Sequence, residues 1–434
     1  MYRSQDRKTR ILFPELFPFG GTLNPDNRWL RIAEMIPWDE LEAEYAKYFS
    51  DVGRPAKDAH LIIGLLLLKH MTALSDVEVT AAVLENPYMQ AFCGLERFAT
   101  EEILEPSTLT KMRARLGAAF FRQLEKRTYG VLIERRIIKA KGMLVDATVF
   151  PEEIKYPNDV GLLNDVREWL VRQIKKLGEG KRYRTNRRKA RREYLNFAKK
   201  KTKTKKVVKK AKKQMLQHVR RNLKQMKEVI EKLKDKGRKI EKKIVKTLGV
   251  AETIFEQQWE MYRRKVNRIK DRIVSFFRPY VRPIKRGKNG RDVEFGAKGA
   301  LTHVDGFLFL DYLEHAAFPE DKLTETHIQK YEERFGKKPP YAAMDQKYGS
   351  RENRARLEGH HIRASLRPLG RRPKQADRWF KKKQKERNRI EGSFGLGKQR
   401  YLMAKVRYRV KDGSEIWVRA SILAMNLKTA LAKA

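Results

Sequence analysis

MLVDATVF, residues 143–150, is the stretch from which the fold of this 434-residue chain can be worked out. It is an apolar run, rich in β-branched residues, with a single acid, Asp146, and it predicts a buried strand. A second run, YAAMD at residues 341–345, predicts another buried strand, which delivers Asp345 before the turn-like QKYGS. A carboxylate among apolar side chains is costly to bury unless it is paired or binds a metal. Either acid alone is equally consistent with an Asp that caps a turn at a strand end.

A third acid lies in RNRIEGSFGLGK, residues 387–398, within a long polar helix predicted from Arg378. At about 100° per residue, the side chains of Arg387, Glu391 and Lys398 fall within roughly 40° of one another. Three glycines after Glu391 weaken the helix, so the placement of Lys398 on this face is less secure than that of Arg387. One acid between two bases suits a group that holds a metal ion against a phosphate backbone.

The order of the predicted elements indicates how these acids meet. Written from Asp146 onward, the order is strand, insertion, two strands, then helix and strand in alternation, ending in a helix. This is the order of an RNase H-like mixed sheet of the α/β class, in which the first strand, the fourth strand and the last helix converge on one edge. We therefore expect Asp146, Asp345 and Glu391 to come together despite separations of 199 and 46 residues.

Composition limits the class of protein. A formal charge of +46 indicates acidic partners, with nucleic acid ahead of an anionic membrane surface. The longest apolar run, LIIGLLLL at 61–68, is far below the ~20 residues that span a bilayer, and it predicts a core helix. The N-terminal stretch has no apolar segment of signal-peptide type, and the single cysteine, Cys93, excludes an intrachain disulfide and a Cys-based zinc cluster. We expect a cytoplasmic protein, associated with the nucleoid when bound to DNA.

Residues 1–135 predict a helical N-terminal domain, followed by the first strand of the catalytic domain within 136–154. Ser75 and Glu78 form a capping box, and Ser107 is a candidate cap for a helix that carries Arg113 and Arg115. Such a basic helix is either a reader of DNA ends or a solvated face.

Residues 155–278 predict a lysine-rich helical insertion, and 279–434 supply the remainder of the catalytic domain. Between residues 181 and 213 there are 18 Lys or Arg and one acid, a density that must stay solvated or bind phosphate. From Leu216 onward, apolar residues follow a coiled-coil spacing, and a second helical run at 254–277 follows a turn predicted at LGV, 248–250. This helical hairpin is a spacer, a DNA-binding arm or a contact to a second subunit.

The three acidic motifs of the chain resemble those of a known family. LVDATVF (144–150), AMDQKYGSRENR (343–354) and RNRIEGSFGLGK are similar to the three acidic motifs of DDE transposases from prokaryotic insertion sequences. The likeness is greatest to the insertion sequence five group, within the set that has a Tyr-Arg-Glu-Lys signature helix. Blocks at 75–96, 105–116, 154–169 and 282–301 also resemble that group. Gln384 stands where the signature has tyrosine, and the long insertion follows the first strand, whereas better-known relatives carry theirs between the fifth strand and the last helix.

The resemblance implies a function. Asp146, Asp345 and Glu391 would be the catalytic acids and hold Mg²⁺ or Mn²⁺, two ions being expected for in-line phosphoryl transfer. Arg387 and Lys398 would bind phosphate near the scissile bond. The partners implied are double-stranded DNA, as terminal inverted repeats and target, and a second copy of the chain in a homodimer. Further residues that could contact DNA beside the second acid are Tyr348, Arg351 and Asn353.

Two other functions are compatible with these residues. One is an RNase H-like nuclease that cuts nucleic acid without strand transfer. The other is a non-enzymatic, basic nucleic-acid-binding protein in which the three acids are structural.

Overall fold

The chain divides into two compact units in a computed structural model. The model describes residues 1–2, 22–285, 293–370, 377–410 and 412–434. Residues 286–292, part of the sequence block at 282–301, therefore lie outside the described residues. One unit comprises Met1–Glu153 together with Gly296–Ala434, and the other comprises Ile154–Phe295. The second unit encloses the insertion predicted at 155–278.

The described residues before the first strand are mainly helical. Their helices are α1 (Arg28–Ala33), α2 (Trp38–Ala46), α3 (Ala59–Thr72), α4 (Asp76–Glu85), α5 (Pro87–Phe92) and α6 (Pro106–Glu134). The apolar run at 61–68 lies in α3 and is buried on all sides, as expected for a core helix. The capping box of Ser75 and Glu78 at the start of α4 is confirmed. The cap predicted at Ser107 is wrong: α6 begins at Pro106, and the Ser107 hydroxyl donates to the carboxylate of Glu105.

The second unit is mainly helical. After β1 (Met143–Pro151), which belongs to the first unit, come α7 (Asp159–Leu177), α8 (Arg187–Ala198), α9 (Lys205–Asp235), α10 (Lys242–Arg264) and the short strand β2 (Arg282–Lys285). The apolar seam of α9 is buried inside this unit, where α9 packs most extensively against α7. Within the described residues, the apolar seam of α9 is therefore covered by helices of the same chain. The heptad pattern does not reveal that α7 is the main packing partner of α9.

The turn predicted at LGV is wrong. Residues 248–250 lie inside α10, and the chain reverses direction after α9 instead, where Gly237 has a φ of +69°. A helix-interior glycine costs only about 1 kcal/mol, which the burial of neighbouring apolar residues in α10 offsets. The run predicted to continue to residue 277 ends at Arg264, where Lys265 adopts the left-handed conformation.

A mixed sheet forms the centre of the first unit. Its strands after the insertion are β3 (Val293–Val304, of which residues from Gly296 belong to this unit), β4 (Phe307–Glu314), β5 (Tyr341–Ala343) and β6 (Arg363–Ser365). The spatial order is β4, β3, β1, β5, β6. The pairs β4 with β3 and β3 with β1 are antiparallel, whereas β1 with β5 and β5 with β6 are parallel.

Four helices complete the first unit. They are α11 (Thr324–Phe335), α12 (Arg351–Gly359), α13 (Arg378–Arg400) and α14 (Gly413–Leu431). Helix α13 packs against β1, β5 and β6, and the largely buried α14 packs against α3, α6 and β4. The core is therefore shared between the early helices and the sheet. In the part of the chain that the structure describes, none of the helices has the length and apolar character required to cross a membrane.

A glycine on β3 tests how tightly the central pair of strands is packed. A Cβ added at Gly296 would lie 2.1 Å from the carbonyl oxygen of Phe150, a backbone atom of β1 that cannot move without opening the pair. We expect Gly296→Ala to lower the free energy of unfolding by about 1 to 3 kcal/mol, as for other overpacked sites. Denaturant unfolding followed by tryptophan fluorescence measures this change.

Gly130→Ala is the matched control in the same unit. Gly130 lies inside α6, and a Cβ there meets nothing within 4 Å. This change should raise the free energy of unfolding by roughly 0.5 to 1 kcal/mol, because alanine restricts the unfolded chain. Equal effects of the two substitutions would contradict the close approach of β3 to β1.

Candidate functional site

Parallel pairing places two of the predicted acids at the same level. The last paired residues of β1 and β5 are Leu144 and Ala343, and Asp146 and Asp345 each follow two residues later. Asp146 lies in the middle of β1, opposite Leu301 of β3, because β1 continues beyond the end of β5. Asp345 follows β5 and caps a short 3-10 turn through a 2.7 Å hydrogen bond from the Gln346 amide.

Helix α13 brings the third acid to the same edge. The Arg387 guanidinium donates to the Asp146 carboxylate at 3.1 Å, and its other terminal nitrogen lies 3.8 Å from the Glu391 carboxylate. The helix continues through its three glycines to Arg400, so that Lys398 donates to the Thr148 hydroxyl at 3.1 Å. Arg387 and Lys398 thus contact residues on the same face of β1.

Gln384, where the family signature has tyrosine, ties α13 to the ends of two strands. Its side-chain amide donates to the Ser365 carbonyl oxygen at 2.6 Å, at the end of β6, and approaches the Met344 carbonyl oxygen at 3.4 Å. Met344 directly precedes Asp345. The glutamine therefore holds the helix of Glu391 beside the strand end of Asp345.

Burial and neighbouring carboxylates raise the pKa of two groups in the site. Burial raises the pKa of Asp146, and the charges of Glu320 and Asp345 act in the same direction, against the Ala147 amide and the Arg387 guanidinium. Burial also raises the pKa of Tyr348 well above its usual value, and Glu320 and Asp146 add to this effect. The buried Tyr348 hydroxyl has no hydrogen-bond partner among the described residues.

Glu320 is a fourth carboxylate that no motif in the sequence marks. It begins the 3-10 turn Glu320–Leu323, and its side chain is only 9% exposed. Lys298 contacts it at 2.8 Å and Lys347 at 3.4 Å. These two cations balance Glu320 but leave Asp146 dependent on Arg387.

Several residues predicted to contact DNA are buried. Arg113 forms two hydrogen bonds with Asp76 and stacks on the ring of Tyr408 at 4.0 Å, which contradicts its assignment to a DNA-reading face. Tyr348 and Asn353 are also buried, and the Asn353 amide donates to the Asp321 and Tyr348 carbonyl oxygens. Their side chains pack the protein and do not reach a DNA surface.

Two of the predicted contacts do face solvent. Arg115 on α6 and Arg351 at the start of α12 are exposed, although the Arg115 guanidinium also lies 4.9 Å from the Phe49 ring. On α6 the helical repeat separates the buried arginine from the exposed one. Arg113 falls on the buried apolar stripe of the helix with Leu109 and Leu116, whereas Arg115 lies about 200° around the helix from Arg113.

The oxygen donors of the site suit a hard divalent cation. Asp146 and Asp345 each lie two residues beyond the last pair of β1 and β5, and the Tyr348 hydroxyl has no partner among the described residues, both of which fit such an ion. The side chain of Glu391 is 56% exposed and separated from Asp146 by Arg387. Among the described residues no three His, Cys, Asp or Glu side chains are grouped closely enough to hold a metal ion together.

Comparison with known proteins defines the family. A model described as a transposase domain (DUF772) matches residues 19–115, and one described as a transposase DDE domain matches residues 342–428. A Rhizobium meliloti protein, "Uncharacterized protein ORF8 in nfe locus", is 36% identical over 159 residues, which are 36% of this chain and 77% of that protein. The chain belongs to the DDE transposase family.

Membership of the DDE transposase family supports a transposase function and an enzyme that acts on DNA. The DDE match begins in β5, so that it includes Asp345, Glu391, Arg387 and Lys398, whereas Asp146 lies outside it. No solved structure gives a significant match to the chain.

The electrostatics of Asp146 lead to a pH-dependent prediction. In a chelating buffer at pH 7, Asp146→Asn should unfold with a larger free energy than the parent chain, because the ionised carboxylate is unfavourable where it is buried. As the pH falls through the raised pKa of Asp146, the parent carboxyl group takes up a proton and the difference should disappear. Urea unfolding at a series of pH values measures both effects.

Asp76→Asn is the control with the opposite sign. Burial acts to raise the pKa of Asp76, but the bonds and charges of Arg113 and Lys69 outweigh it, and the pKa is lowered. This variant should be less stable than the parent at pH 7, and the deficit should shrink as the pH falls through the lowered pKa. The same sign of pH dependence in both variants would rule out this account.

Proposed function

We propose that this chain is a transposase of the insertion sequence five group, with an RNase H-like catalytic domain. It binds the ends of its element and catalyses metal-dependent DNA cleavage and strand transfer. The observation that carries the proposal is the alignment of Asp146 and Asp345 on parallel strands, with Glu391 linked to Asp146 through Arg387. The sheet order and strand directions support the RNase H-like assignment.

Asp146, Asp345 and Glu391 are the residues that would hold Mg²⁺ or Mn²⁺. When bound, a pair of such ions activates a water or 3′-hydroxyl and stabilises the leaving oxygen of an in-line displacement. The exposed side chain of Glu391 can turn towards the two aspartates once its helix is held in place by Gln384. No covalent protein nucleophile is required.

Arg387 and Lys398 bind and orient the DNA in this proposal. Arg387 has its guanidinium between two of the acids, where it can pair with a phosphate oxygen while it keeps Asp146 in position. Lys398, on the same face of β1, supplies a point charge to a neighbouring phosphate. Arg115 and Arg351 are exposed candidates for further phosphate contacts.

The charge distribution supports double-stranded DNA as the partner, both as terminal inverted repeats and as target. In the second unit, α8 presents a set of exposed cations that would neutralise phosphates by counterion release: Arg187, Arg188, Lys189, Arg191 and Arg192. We also propose that the DNA complex contains two copies of the chain and forms in the prokaryotic cytoplasm.

Two conservative substitutions test the active site. Asp345→Asn and Glu391→Gln should each abolish Mg²⁺-dependent cleavage of a duplex that carries the element's end, because each removes a charged oxygen donor. DNA affinity should stay within about twofold of the parent, since neither acid supplies a cation to a phosphate. Cleavage is followed on gels and affinity by fluorescence anisotropy in chelator.

Glu386→Gln is the matched control on the same helix. Glu386 lies one residue before Arg387, but its carboxylate pairs with Lys383 at 2.8 Å and is not one of the three acids. Its substitution should therefore leave cleavage unchanged. Unchanged cleavage by Asp345→Asn would remove the proposed active site. A second assay supplies pre-cut element ends together with target DNA. A transposase joins the ends to the target, whereas a nuclease without strand transfer does not.

A further inference from the structure

A basic cavity lies on the first unit, beside the helix that carries Arg387 and Glu391. It is an open cavity of about 950 Å³, large enough for a nucleotide and not only for a phosphate ion. Six cationic side chains and a single acidic one, Asp305, line it. The cations are Arg135, Arg136, Lys139, Lys141, Arg389 and Lys433.

Asp305 does not neutralise this cavity. Its carboxylate accepts a 2.9 Å hydrogen bond from the Lys139 backbone amide, and its carbonyl oxygen accepts a bond from the Lys433 ammonium group. Partial burial lowers the pKa of Lys433, and the nearby charges of Lys139 and Lys141 lower it further, against Asp305. Cations crowded to this degree create a positive potential that attracts anions.

His303 provides an independent sign of a ligand. It lines the cavity yet is only 4% exposed, and its Nδ1 atom has no hydrogen-bond partner in the described part of the chain. Burial lowers the pKa of His303 to about 4, with the charges of Arg389 and Lys433 acting in the same direction. The ring is therefore neutral at pH 7, and its unsatisfied Nδ1 atom is buried in the wall of the cavity.

The cavity and the acids lie on opposite sides of α13. His303 pairs with Leu144 of β1 and Leu301 pairs with Asp146, so His303 and Asp146 share one face of the sheet. Arg389 is two residues from both Arg387 and Glu391, about 160° to 200° around the helix from each. Arg387 contacts Asp146, and Arg389 lines the cavity. The basic cavity therefore adjoins the proposed active site, with α13 between the cations that line it and the three acids.

We propose that the cations of this cavity bind a phosphate group of DNA beside the ring of His303. The inference rests on the proposed function for the nature of the ligand, and it adds a DNA contact beyond the three acids and their two cations. It assigns a role to the exposed cations of the segment before β1, residues 135–141, which the sequence motifs leave without one.

The test compares two lysine pairs in the full-length chain. Lys139→Gln with Lys141→Gln removes two charges from the cavity, and Lys337→Gln with Lys338→Gln removes two from another exposed loop of the same unit. Binding of a 20-base-pair duplex is measured by anisotropy over a salt series in chelator, so that no cleavage occurs. The cavity pair should reduce the slope of log affinity against log salt by about 2, and the control pair should leave it unchanged.

The ring of His303 gives a second readout. Histidine-labelled NMR spectra, with the signal assigned by its loss in His303→Gln, should show a shift when the duplex is added. Equal salt slopes for both lysine pairs, or an unmoved His303 signal, would overturn the proposal. A shift with inorganic phosphate but not with duplex would overturn the assignment to DNA.

These results are distinguishable from failure of the proposed function. Binding in chelator does not depend on the three acids, so a chain that binds DNA through the cavity but never cleaves it refutes the active site alone. A chain that cleaves normally, with equal slopes for the two pairs, refutes the cavity alone.

Discussion

Parallel pairing of β1 with β5 is the constraint on which the site depends. Two short strands from distant parts of the chain run in the same direction, and the register from Leu144 and Ala343 places Asp146 level with Asp345. Burying the first of these acids is unfavourable, and Arg387 from α13 reduces the cost. The ion pair between Arg387 and Asp146 requires α13 to cross the sheet beside Asp146. Gln384 holds α13 in that position by hydrogen bonds to carbonyl oxygens at the ends of β5 and β6. Strand register, buried charge and helix position are parts of one arrangement.

Much of this arrangement could be predicted from the sequence, because local patterns specified it. The run at 143–150 is apolar and rich in β-branched residues, and it becomes β1. The run at 341–345 is mostly apolar, and its first three residues become β5. The spacing of Arg387, Glu391 and Lys398 also survives, since the packing of α13 on the sheet outweighs the weak helix propensity of its glycines. The helical hairpin was located less well. Its turn follows α9 near Gly237, whereas the glycine inside LGV is tolerated within α10.

The errors concern burial. Arg113, Tyr348 and Asn353 have side chains that commonly contact nucleic acid, but each satisfies its polar groups or packs its ring inside the protein. Exposure is set by tertiary packing. The helical repeat places Arg113 on the apolar stripe of α6, but it does not reveal that the partly buried carboxylate of Asp76 pairs with the guanidinium there. Glu320 illustrates the converse, because it reaches the site from a short turn that has no periodic pattern. In the first unit, local sequence patterns therefore predict the strands and the helix of the site, whereas the burial of individual side chains is known only from the fold.

The second unit has the topology of an enlarged hairpin loop. Pro151 of β1 pairs with Gly296 of β3, so 144 residues leave and rejoin one antiparallel ladder at adjacent positions. Loop-closure entropy grows only with the logarithm of length, and replacing a four-residue turn by this segment would cost roughly 3 kcal/mol if the segment were a flexible coil. A segment that folds as a compact helical unit has most of that freedom already removed. The ladder between β1 and β3 can therefore carry inserts of very different size, and this junction is a natural point for the chain to have gained a domain without disturbing the sheet that it interrupts.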